Sequence, residues 1–191
     1  DCRSIYVRFE VLPEYQHNSN PTYLVAWTTT PWTLPANIAL CVNPDLDYEY
    51  VEDNSTTPPT VYILGKDKHK QSGLKISSPT IKIVKGRELI GIKYKPMYPT
   101  YTTTATTTAT TTTPTNAFTV VADGYVKDGT TTGTNIVHLA PVFGEDDYRV
   151  CKAQNIITDE LVQSLIPIDD NCNYLPMVAQ YAGMLVFDAE S

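Results

Sequence analysis

Every second residue from position 5 to position 11 is apolar, and this period of two is typical of a β-strand with one buried face. Runs of β-branched and aromatic residues between turn residues predict further strands. The predicted strands cover residues 5–11, 23–29, 39–42, 48–52, 60–64, 80–84, 117–122, 135–139 and 174–187.

Helical signals are fewer. Between Pro141 and Ile156, Gly144 is followed by three acidic residues, which suit the first turn of a helix. A second short helix is predicted over 158–165, and residues 34–38 predict a turn or a single helical turn. Many short strands with few helices indicate an α+β fold, built as a barrel or a strongly curved sheet.

The composition is that of one globular domain. The 191 residues are 42% hydrophobic and 18% charged, and no apolar run is long enough to span a membrane. We interpret residues 1–191 as a single domain, and Asp1 in place of methionine suggests a fragment excised from a longer protein. No signal peptide is visible, and the four cysteines form no metal-binding or disulfide pattern, which favours a reducing cytoplasm.

Acidic residues outnumber basic residues by 21 to 14, which gives a net charge of −7. Phosphate contacts need clustered lysine and arginine, so this balance argues against a free-standing nucleic-acid binder. It is compatible with a domain that receives only the end of a nucleic acid held elsewhere.

Residues 100–115 form a low-complexity tract that contains twelve threonines. The tract has no period that would bury one face, so we interpret it as a surface loop or insertion. An extended β arm and a mucin-like stalk are alternatives, and we assign the tract no function.

Segment 27–37 reads Trp-Thr-Thr-Thr-Pro-Trp-Thr-Leu-Pro-Ala-Asn and begins within a predicted strand. Its four hydroxyls, two indoles and one carboxamide lie on a loop that two prolines stiffen, which suits a polar ligand with an apolar part. From residue types alone, the plainer interpretation is threonine in a strand and tryptophan in a core.

Segment 133–147 places His138 at the end of a predicted strand and Asp147 in the first turn of the predicted helix. We expect the positive end of the helix dipole to keep Asp147 ionised at neutral pH, and a carboxylate held there can bind an ammonium group. The alternatives are an acidic helix cap and a structural histidine. His17 and His69 lie in polar turns, and we interpret both as structural.

Sequence signals for a nucleophilic enzyme are absent. No nucleophile elbow or Walker phosphate loop is present. Cys41 and Cys151 have apolar neighbours in the sequence, which is typical of inert thiols.

Together, the two segments resemble the editing domain inserted in cytosolic, eukaryotic-type isoleucyl-tRNA synthetases. Segment 27–37 matches the family sequence W-T-T-T-P-W-T-L-P-A-N, and segment 133–147 looks like G-T-G-x-V-H-x-A-P-x-F-G-x-x-D. The resemblance extends over most of the chain except the 100–115 tract. It implies a barrel-like α+β editing domain of the valyl/isoleucyl/leucyl-tRNA synthetase type with a few peripheral helices.

The resemblance also implies a function, the hydrolysis of the ester that joins valine wrongly to tRNA(Ile). In this interpretation His138 limits the side chain that can enter, and Asp147 holds the α-ammonium group. The expected substrate-binding residues are Thr28, Thr29, Thr30, Trp32, Asn37, Thr134, His138 and Asp147. The expected catalytic residues are Asp147, Thr30 and His138.

Asn135 stands where the family pattern has its second glycine. If the backbone there needs a positive φ, asparagine tolerates it better than most residues. If instead the terminal ribose approaches this backbone closely, the side chain intrudes.

The resemblance implies no metal or other cofactor for the editing domain itself, and places ATP and Mg²⁺ in the synthetic domain of the full-length enzyme. The expected partners are the 3′ end of aminoacylated tRNA(Ile) and the rest of the synthetase in cis. We expect a cytoplasmic monomer without membrane contact. Two other functions stay open at this point, a non-catalytic amino-acid-binding module and a secreted, Thr-glycosylated β domain.

Overall fold

The structure is a computed structural model that describes residues 4–71, 74, 76, 78–101, 116–129 and 133–190. Within these residues the strands are β1 (Ile5–Glu10), β2 (Thr22–Thr28), β3 (Ala39–Val42), β4 (Asp47–Asp53), β5 (Thr60–Gly65), β6 (Thr80–Lys85), β7 (Thr119–Ala122) and β8 (Ile136–Leu139). The α-helices are α1 (Lys68–Gln71), α2 (Glu145–Ala153) and α3 (Asp159–Ser164). Short 3₁₀ helices cover Pro13–Tyr15, His17–Ser19, Pro31–Ala36, Gly86–Glu88, Pro99–Tyr101, Pro176–Tyr181 and Asp188–Glu190.

The described strands form two open sheets. The larger sheet has five strands in the order β1-β2-β5-β4-β6, and the smaller has three in the order β7-β3-β8. β3 is central in the smaller sheet, parallel to β7 and antiparallel to β8. The predicted α+β class is confirmed, although these strands are arranged as two sheets rather than as one barrel.

The main hydrophobic core takes side chains from both sheets. Leu24 and Ile63 of the larger sheet and Leu40 and Leu139 of the smaller sheet belong to one buried cluster, each with 0% exposure. Burying a side chain of this size is worth about 1.5–3 kcal/mol. On β2 the next residue, Val25, belongs to a second cluster. β2 is therefore buried on both faces, which explains its nearly continuous apolar sequence.

Eight predicted strands are confirmed to within two residues at each end. The strand predicted over 174–187 is wrong, because this segment contains the 3₁₀ helix Pro176–Tyr181 and only isolated β-bridges. Pro176 starts that helix, and Ala179 and Gly183 have φ values of +37° and +79°, which a strand does not accommodate. The apolar residues that suggested a strand pack into a small cluster of their own.

The predicted helices are confirmed with shifted ends. α2 lies within 141–156, and α3 begins after Thr158, whose hydroxyl accepts a hydrogen bond from the N–H of Leu161 at 3.2 Å. The predicted turn at 34–38 overlaps the 3₁₀ helix Pro31–Ala36, which ends at Ala36 and starts earlier because Pro31 can occupy its first position.

The first two residues of the threonine-rich tract belong to the packed interior. Thr100 and Tyr101 are each 3% exposed, and the Tyr101 hydroxyl donates to the Leu165 carbonyl oxygen at 2.8 Å. The surface-loop interpretation is therefore wrong for these two residues. Residues 102–115 lie outside the described part of the chain.

The two sheets are tied together just before β8. The hydroxyl of Tyr48 on β4 donates to the carbonyl oxygen of Asn135 at 2.7 Å. The N–H of Gly65 at the end of β5 donates to the carbonyl oxygen of Thr134 at 2.7 Å. A Cβ atom on Gly65 would lie 2.7 Å from the Asn135 side-chain nitrogen, so only glycine allows this approach. These bonds hold the start of β8 against the larger sheet.

Asn135 has a φ of +60°, a left-handed conformation that asparagine tolerates better than most residues. Its side-chain nitrogen donates to Asp128 Oδ1 at 3.2 Å. The residue is 7% exposed, so both its backbone conformation and its side chain are part of the junction.

We expect Asn135→Ala to lower the free energy of unfolding by about 1–2 kcal/mol, because alanine is strained at positive φ. Asn135→Gly is the matched control, since it loses the same side-chain hydrogen bond without the strain. Urea unfolding of the three proteins measures the effect. A glycine variant as unstable as the alanine variant would show that backbone strain is not the cause.

Candidate functional site

One cavity brings the two predicted segments together. Its volume is about 570 Å³, which is in the range of sites for small molecules and cofactors. β2 and the following 3₁₀ helix supply one wall, and the approach to β8, β8 itself and the start of α2 supply the opposite wall. The lining residues are 27–30, 32–33, 125–127, 133–138, 140, 143–144 and 147.

The threonines at the end of β2 form a connected set of hydroxyls. Thr28 Oγ1 accepts a hydrogen bond from the N–H of Thr30 at 3.1 Å, and Thr30 Oγ1 lies 3.4 Å from the hydroxyls of both Thr28 and Thr33. Thr28 and Thr33 are buried, whereas Thr29 and Thr30 are exposed. β2 ends at Thr28 and Pro31 starts the following 3₁₀ helix, so these hydroxyls are concentrated at one end of the cavity.

Asp147 is the acidic residue that lines this cavity. It lies in the first turn of α2, is half-buried, and accepts a hydrogen bond through Oδ2 from the N–H of Ala140 at 2.9 Å. A Cβ atom on Gly144 would lie 2.8 Å from the carboxyl carbon, so glycine lets the carboxylate lie against the preceding turn. Among the described residues, Asp147 has no cationic partner within ion-pair distance.

Burial raises the pKa of the Asp147 carboxyl, and the hydrogen bond from Ala140 acts in the opposite direction. The net direction is upward, so the start of α2 does not hold this pKa below its usual range. Burial without a charged partner favours the protonated form of a carboxyl group, whereas a nearby positive charge favours the ionised form.

His138 lies on β8 opposite Thr33. Its Nε2 atom lies 3.1 Å from Thr33 Oγ1, and its Nδ1 atom is buried without a hydrogen-bond partner among the described residues. Burial lowers the pKa of His138 to about 4, so the imidazole is neutral at physiological pH. With one nitrogen bonded and the other buried, His138 is suited to form a wall of the cavity.

Apolar side chains complete the cavity next to these polar groups. The Trp32 ring contacts the Phe143 ring edge-to-face at a centroid distance of 4.9 Å. The backbone carbonyl oxygen of Trp32 accepts a hydrogen bond from the Tyr174 hydroxyl at 2.6 Å. The 3₁₀ helix that carries Trp32 is therefore held by Phe143, which lines the cavity, and by Tyr174, which does not.

The chain was compared with known proteins. No protein-family model matches it. It is 35% identical to a probable cytoplasmic isoleucine–tRNA ligase of Dictyostelium discoideum over 206 aligned residues, which include 100% of this chain and 18% of that protein. It is 39% identical to the cytoplasmic isoleucine–tRNA ligase of Saccharomyces cerevisiae, and this alignment covers 88% of this chain and 15% of that protein. It is 37% identical to the cytoplasmic isoleucine–tRNA ligase of Mus musculus, and this alignment covers 98% of this chain and 14% of that protein. The chain thus spans less than a fifth of the length of these relatives.

Solved structures show the same fold at low sequence identity. The GlLeuRS-CP1 crystal structure has a TM-score of 0.65 at 14% identity, with 98% of this chain and 92% of that chain covered. The editing domain of the P. knowlesi cytosolic leucyl-tRNA synthetase has a TM-score of 0.53 at 15% identity, with 84% of this chain and 69% of that chain covered. The chain is a homologue of isoleucine–tRNA ligases with the fold of a synthetase editing domain.

Most of the predicted site residues line the cavity of this editing-domain fold, but Asn37 does not. Asn37 is 5% exposed and lies in the core, where its Nδ2 donates to the Ala39 carbonyl oxygen at 3.0 Å. Its Oδ1 accepts from the Tyr94 hydroxyl at 2.7 Å. Both amide atoms are therefore used to fix the turn after the 3₁₀ helix, and the residue supports the cavity wall from behind.

Sequence reasoning missed Thr33 and residues 125–127. Thr33 lies inside segment 27–37, and its position three residues after Thr30 on a helical turn was the available signal. Residues 125–127 join the site only through the tertiary fold, because they follow β7 and carry no motif. Lys127 in this stretch is the cation that lines the cavity among the described residues.

The other titratable candidates lie away from the cavity. His69 is buried and pairs with Glu49, whose second carboxylate oxygen accepts from the Thr80 hydroxyl at 2.8 Å. Glu49 lies 20 residues from His69 in the sequence, so the residues next to His69 give no sign of this pair. Burial raises the pKa of Cys41 to about 12, in line with an inert thiol.

The described residues contain no cluster of three or more His, Cys, Asp or Glu side chains suited to a metal ion. Of their helices, none has both the length and the apolar character needed to cross a bilayer.

The stability of the domain should depend on pH through His138. The folded pKa of about 4 lies below the ordinary value of about 6.5, so the unfolded chain binds a proton first as the pH falls. This contribution is complete above about pH 6.5 and is lost toward pH 4. Between pH 7 and pH 5 it should fall by about 2 kcal/mol.

The measurement is urea unfolding of the wild-type chain and of His138→Gln at both pH values, and the difference between the two proteins gives the contribution of His138. His17→Gln is the matched control, because His17 lies outside the cavity and is not buried. An unfolding free-energy difference between wild type and His138→Gln that does not change with pH would contradict the neutral, buried imidazole.

Proposed function

We propose that this chain hydrolyses the ester bond of valine wrongly attached to tRNA(Ile), as the post-transfer editing domain of an isoleucyl-tRNA synthetase. Its homology to isoleucine–tRNA ligases and the editing-domain fold support an editing role. The observation that carries the proposal is the half-buried Asp147 carboxylate, which faces the cavity without a cationic partner among the described residues.

An aminoacyl ester supplies the missing positive charge. Its α-ammonium group is a compact cation next to the carbonyl carbon that must react, so a carboxylate that binds it also positions the ester. One Asp147 oxygen is already bonded to the Ala140 N–H, which fixes the direction of the carboxylate. Substrate binding would also favour the charged form of Asp147, against the effect of burial.

Selection against isoleucine needs a steric limit. One methylene is worth only about 1–3 kcal/mol in an apolar pocket, a range for which isoleucyl-tRNA synthetase is itself the usual example. A second site reverses the test, because valine fits and isoleucine is too large. The neutral imidazole of His138 and the Trp32 and Phe143 rings supply apolar walls for such a limit.

The chemistry requires water, positioning and stabilisation of the oxyanion. Water attacks the ester carbonyl carbon, the bond to the ribose oxygen breaks, and a proton from the water ends on that oxygen. The exposed hydroxyls of Thr29 and Thr30 can hold the water or the developing oxyanion. Burial lowers the pKa of His138 to about 4, which makes its imidazole a weak base, so a neighbouring ribose hydroxyl of the substrate can carry the proton.

The tRNA body would bind the rest of the synthetase, which accounts for the net charge of −7 on this chain. Lys127, a lining residue of the cavity, would meet a phosphate next to the terminal nucleoside. We propose a cytoplasmic, monomeric enzyme in which ATP and Mg²⁺ serve the synthetic domain and the editing site uses no cofactor.

Binding measurements separate this function from that of a non-catalytic amino-acid-binding module. A cavity of about 570 Å³ is large for valine alone, so a non-hydrolysable valyl-adenosine analogue should bind at least tenfold more tightly than free valine. Isothermal titration of the chain with each ligand measures this ratio. Equal affinity for the two ligands would favour the binding module.

We expect Asp147→Asn to reduce deacylation of valyl-tRNA(Ile) by the full-length synthetase at least 100-fold, because the ammonium group loses its counter-charge. Glu145→Gln is the matched control, since Glu145 is an exposed acid in the same helical turn that does not line the cavity. Aminoacylation should be unchanged in both variants. Wild-type deacylation by Asp147→Asn would remove the carboxylate from the mechanism.

A further inference from the structure

The backbone around Lys127 is fixed on both sides of this residue. Before it, the carbonyl oxygen of Val126 accepts a hydrogen bond from the side-chain nitrogen of Asn43 at 2.8 Å. After it, the side chain of Asp128 is bonded to residues from other parts of the fold. Lys127 lines the cavity, whereas Asp128 does not. The loop therefore presents one charged side chain to the cavity and uses the next one as an anchor.

The anchor of Asp128 is a buried lysine. Asp128 Oδ1 accepts from Lys68 Nζ at 2.8 Å and from the side-chain nitrogen of Asn135 at 3.2 Å. The hydrogen bond from Lys68, followed by that from Asn135, lowers the pKa of the Asp128 carboxyl, so the carboxylate is ionised at neutral pH. Lys68 lies in α1, directly after β5, and Asn135 lies directly before β8. This network thus ties the loop after β7 to both sheets.

The two ends of this ion pair differ in burial, which decides how the pair can be broken cleanly. The Lys68 side chain is 7% exposed, and the Asp128 side chain is 56% exposed. A buried ammonium group that loses its carboxylate keeps the cost of its desolvation, whereas an exposed carboxylate that loses its lysine is hydrated by water. Methionine at position 68 would therefore release the loop and leave an unbranched apolar side chain in the buried position.

Lys127 has donors available for an anion. Its Nζ donates to the carbonyl oxygen of Gly124 at 2.8 Å, and no carboxylate of the described residues lies within ion-pair distance of it. An ammonium group has three N–H donors, so it can also bind a phosphate. Because the loop is already fixed, less ordering is needed when the ligand binds, and this increases affinity.

We propose that Lys68 is a positioning residue for anion binding: through Asp128 it fixes the loop so that Lys127 meets the phosphate on the 5′ side of the terminal nucleoside. This inference rests on the proposed editing function and adds a residue to it. Lys68 itself touches no substrate.

The first test compares two non-hydrolysable valyl-adenosine analogues, one with and one without a 5′-phosphate, by isothermal titration of the chain. In wild type the phosphate should increase the affinity at least fivefold. In Lys68→Met and in Lys127→Met the two analogues should bind within twofold of each other. Lys70→Met is the matched control, because Lys70 is an exposed lysine of the same helix that pairs with Asp67 at 2.7 Å, and it should keep the wild-type ratio. Asp128→Asn replaces Lys68→Met if that variant fails to fold.

The second test separates positioning from a general structural role. In the full-length synthetase, Lys68→Met should raise the KM for valyl-tRNA(Ile) at least fivefold and keep kcat within twofold. The slope of log KM against log salt concentration should flatten by about 0.7, the value for one phosphate contact on a single strand. In a Lys127→Met background, Lys68→Met should change KM less than twofold, because no ammonium group is left to position.

Three results would overturn the inference. They are a wild-type chain that does not prefer the phosphorylated analogue, a Lys68→Met variant that keeps the wild-type preference, and a full effect of Lys68→Met on KM without the Lys127 ammonium group. The two proposals can fail separately. If the wild-type enzyme does not hydrolyse valyl-tRNA(Ile), the proposed function fails, and the affinity ratios of the two analogues still decide the role of Lys68. A chain that binds neither analogue overturns that role as well.

Discussion

The hydrogen bonds around Thr134 and Asn135 are the constraint on which the cavity depends. Through the Tyr48 hydroxyl and the Gly65 amide, the larger sheet holds the backbone that leads into β8. β8 in turn carries His138, and the turn after it leads to Asp147. These directional bonds add to the hydrophobic core that the two sheets share, and together they hold the two walls of the cavity in a fixed relation.

Burial affects the charges of His138 and Asp147, the two titratable groups of the cavity discussed above, in different ways. Burial keeps the imidazole uncharged, while the same burial makes the lone carboxylate costly unless a cation joins it. In the proposed function, His138 and Asp147 therefore do not act as a catalytic pair. The histidine contributes shape and the aspartate contributes attraction, a combination suited to a substrate recognised by its ammonium group and its bulk.

Much of the fold follows from local sequence patterns, and the misses have physical reasons. β3 was predicted correctly because Pro35 and Asn43-Pro44 bound a short apolar run. The 174–187 segment looked like a strand because its aromatic residues favour strands, but its apolar residues pack in a separate cluster on an irregular backbone. Long-range pairing was out of reach of pattern analysis: the Glu49 partner of His69 is one example, and the two-sheet arrangement is another.

The candidate site, too, could be predicted from the sequence only in part. The two segments were found from their residue types and spacing, but the separation of Asn37 from the cavity depends on a contact with Tyr94, 57 residues away. Thr33 was hidden for a different reason, since nothing in a Thr-rich loop shows which hydroxyl faces a histidine.

The described residues on the two sides of positions 102–115 are each fastened to the folded part of the chain. On one side Tyr101 is held by Leu165, and on the other Phe118 is bonded through its backbone to Ile38 and Tyr94. Both attachments are made to residues elsewhere in the described part of the chain. An insertion between them would leave these bonds in place, and the entropy of closing a longer connection grows only slowly with its length. This position is consequently a natural acceptor for a fluorescent tag or an affinity peptide.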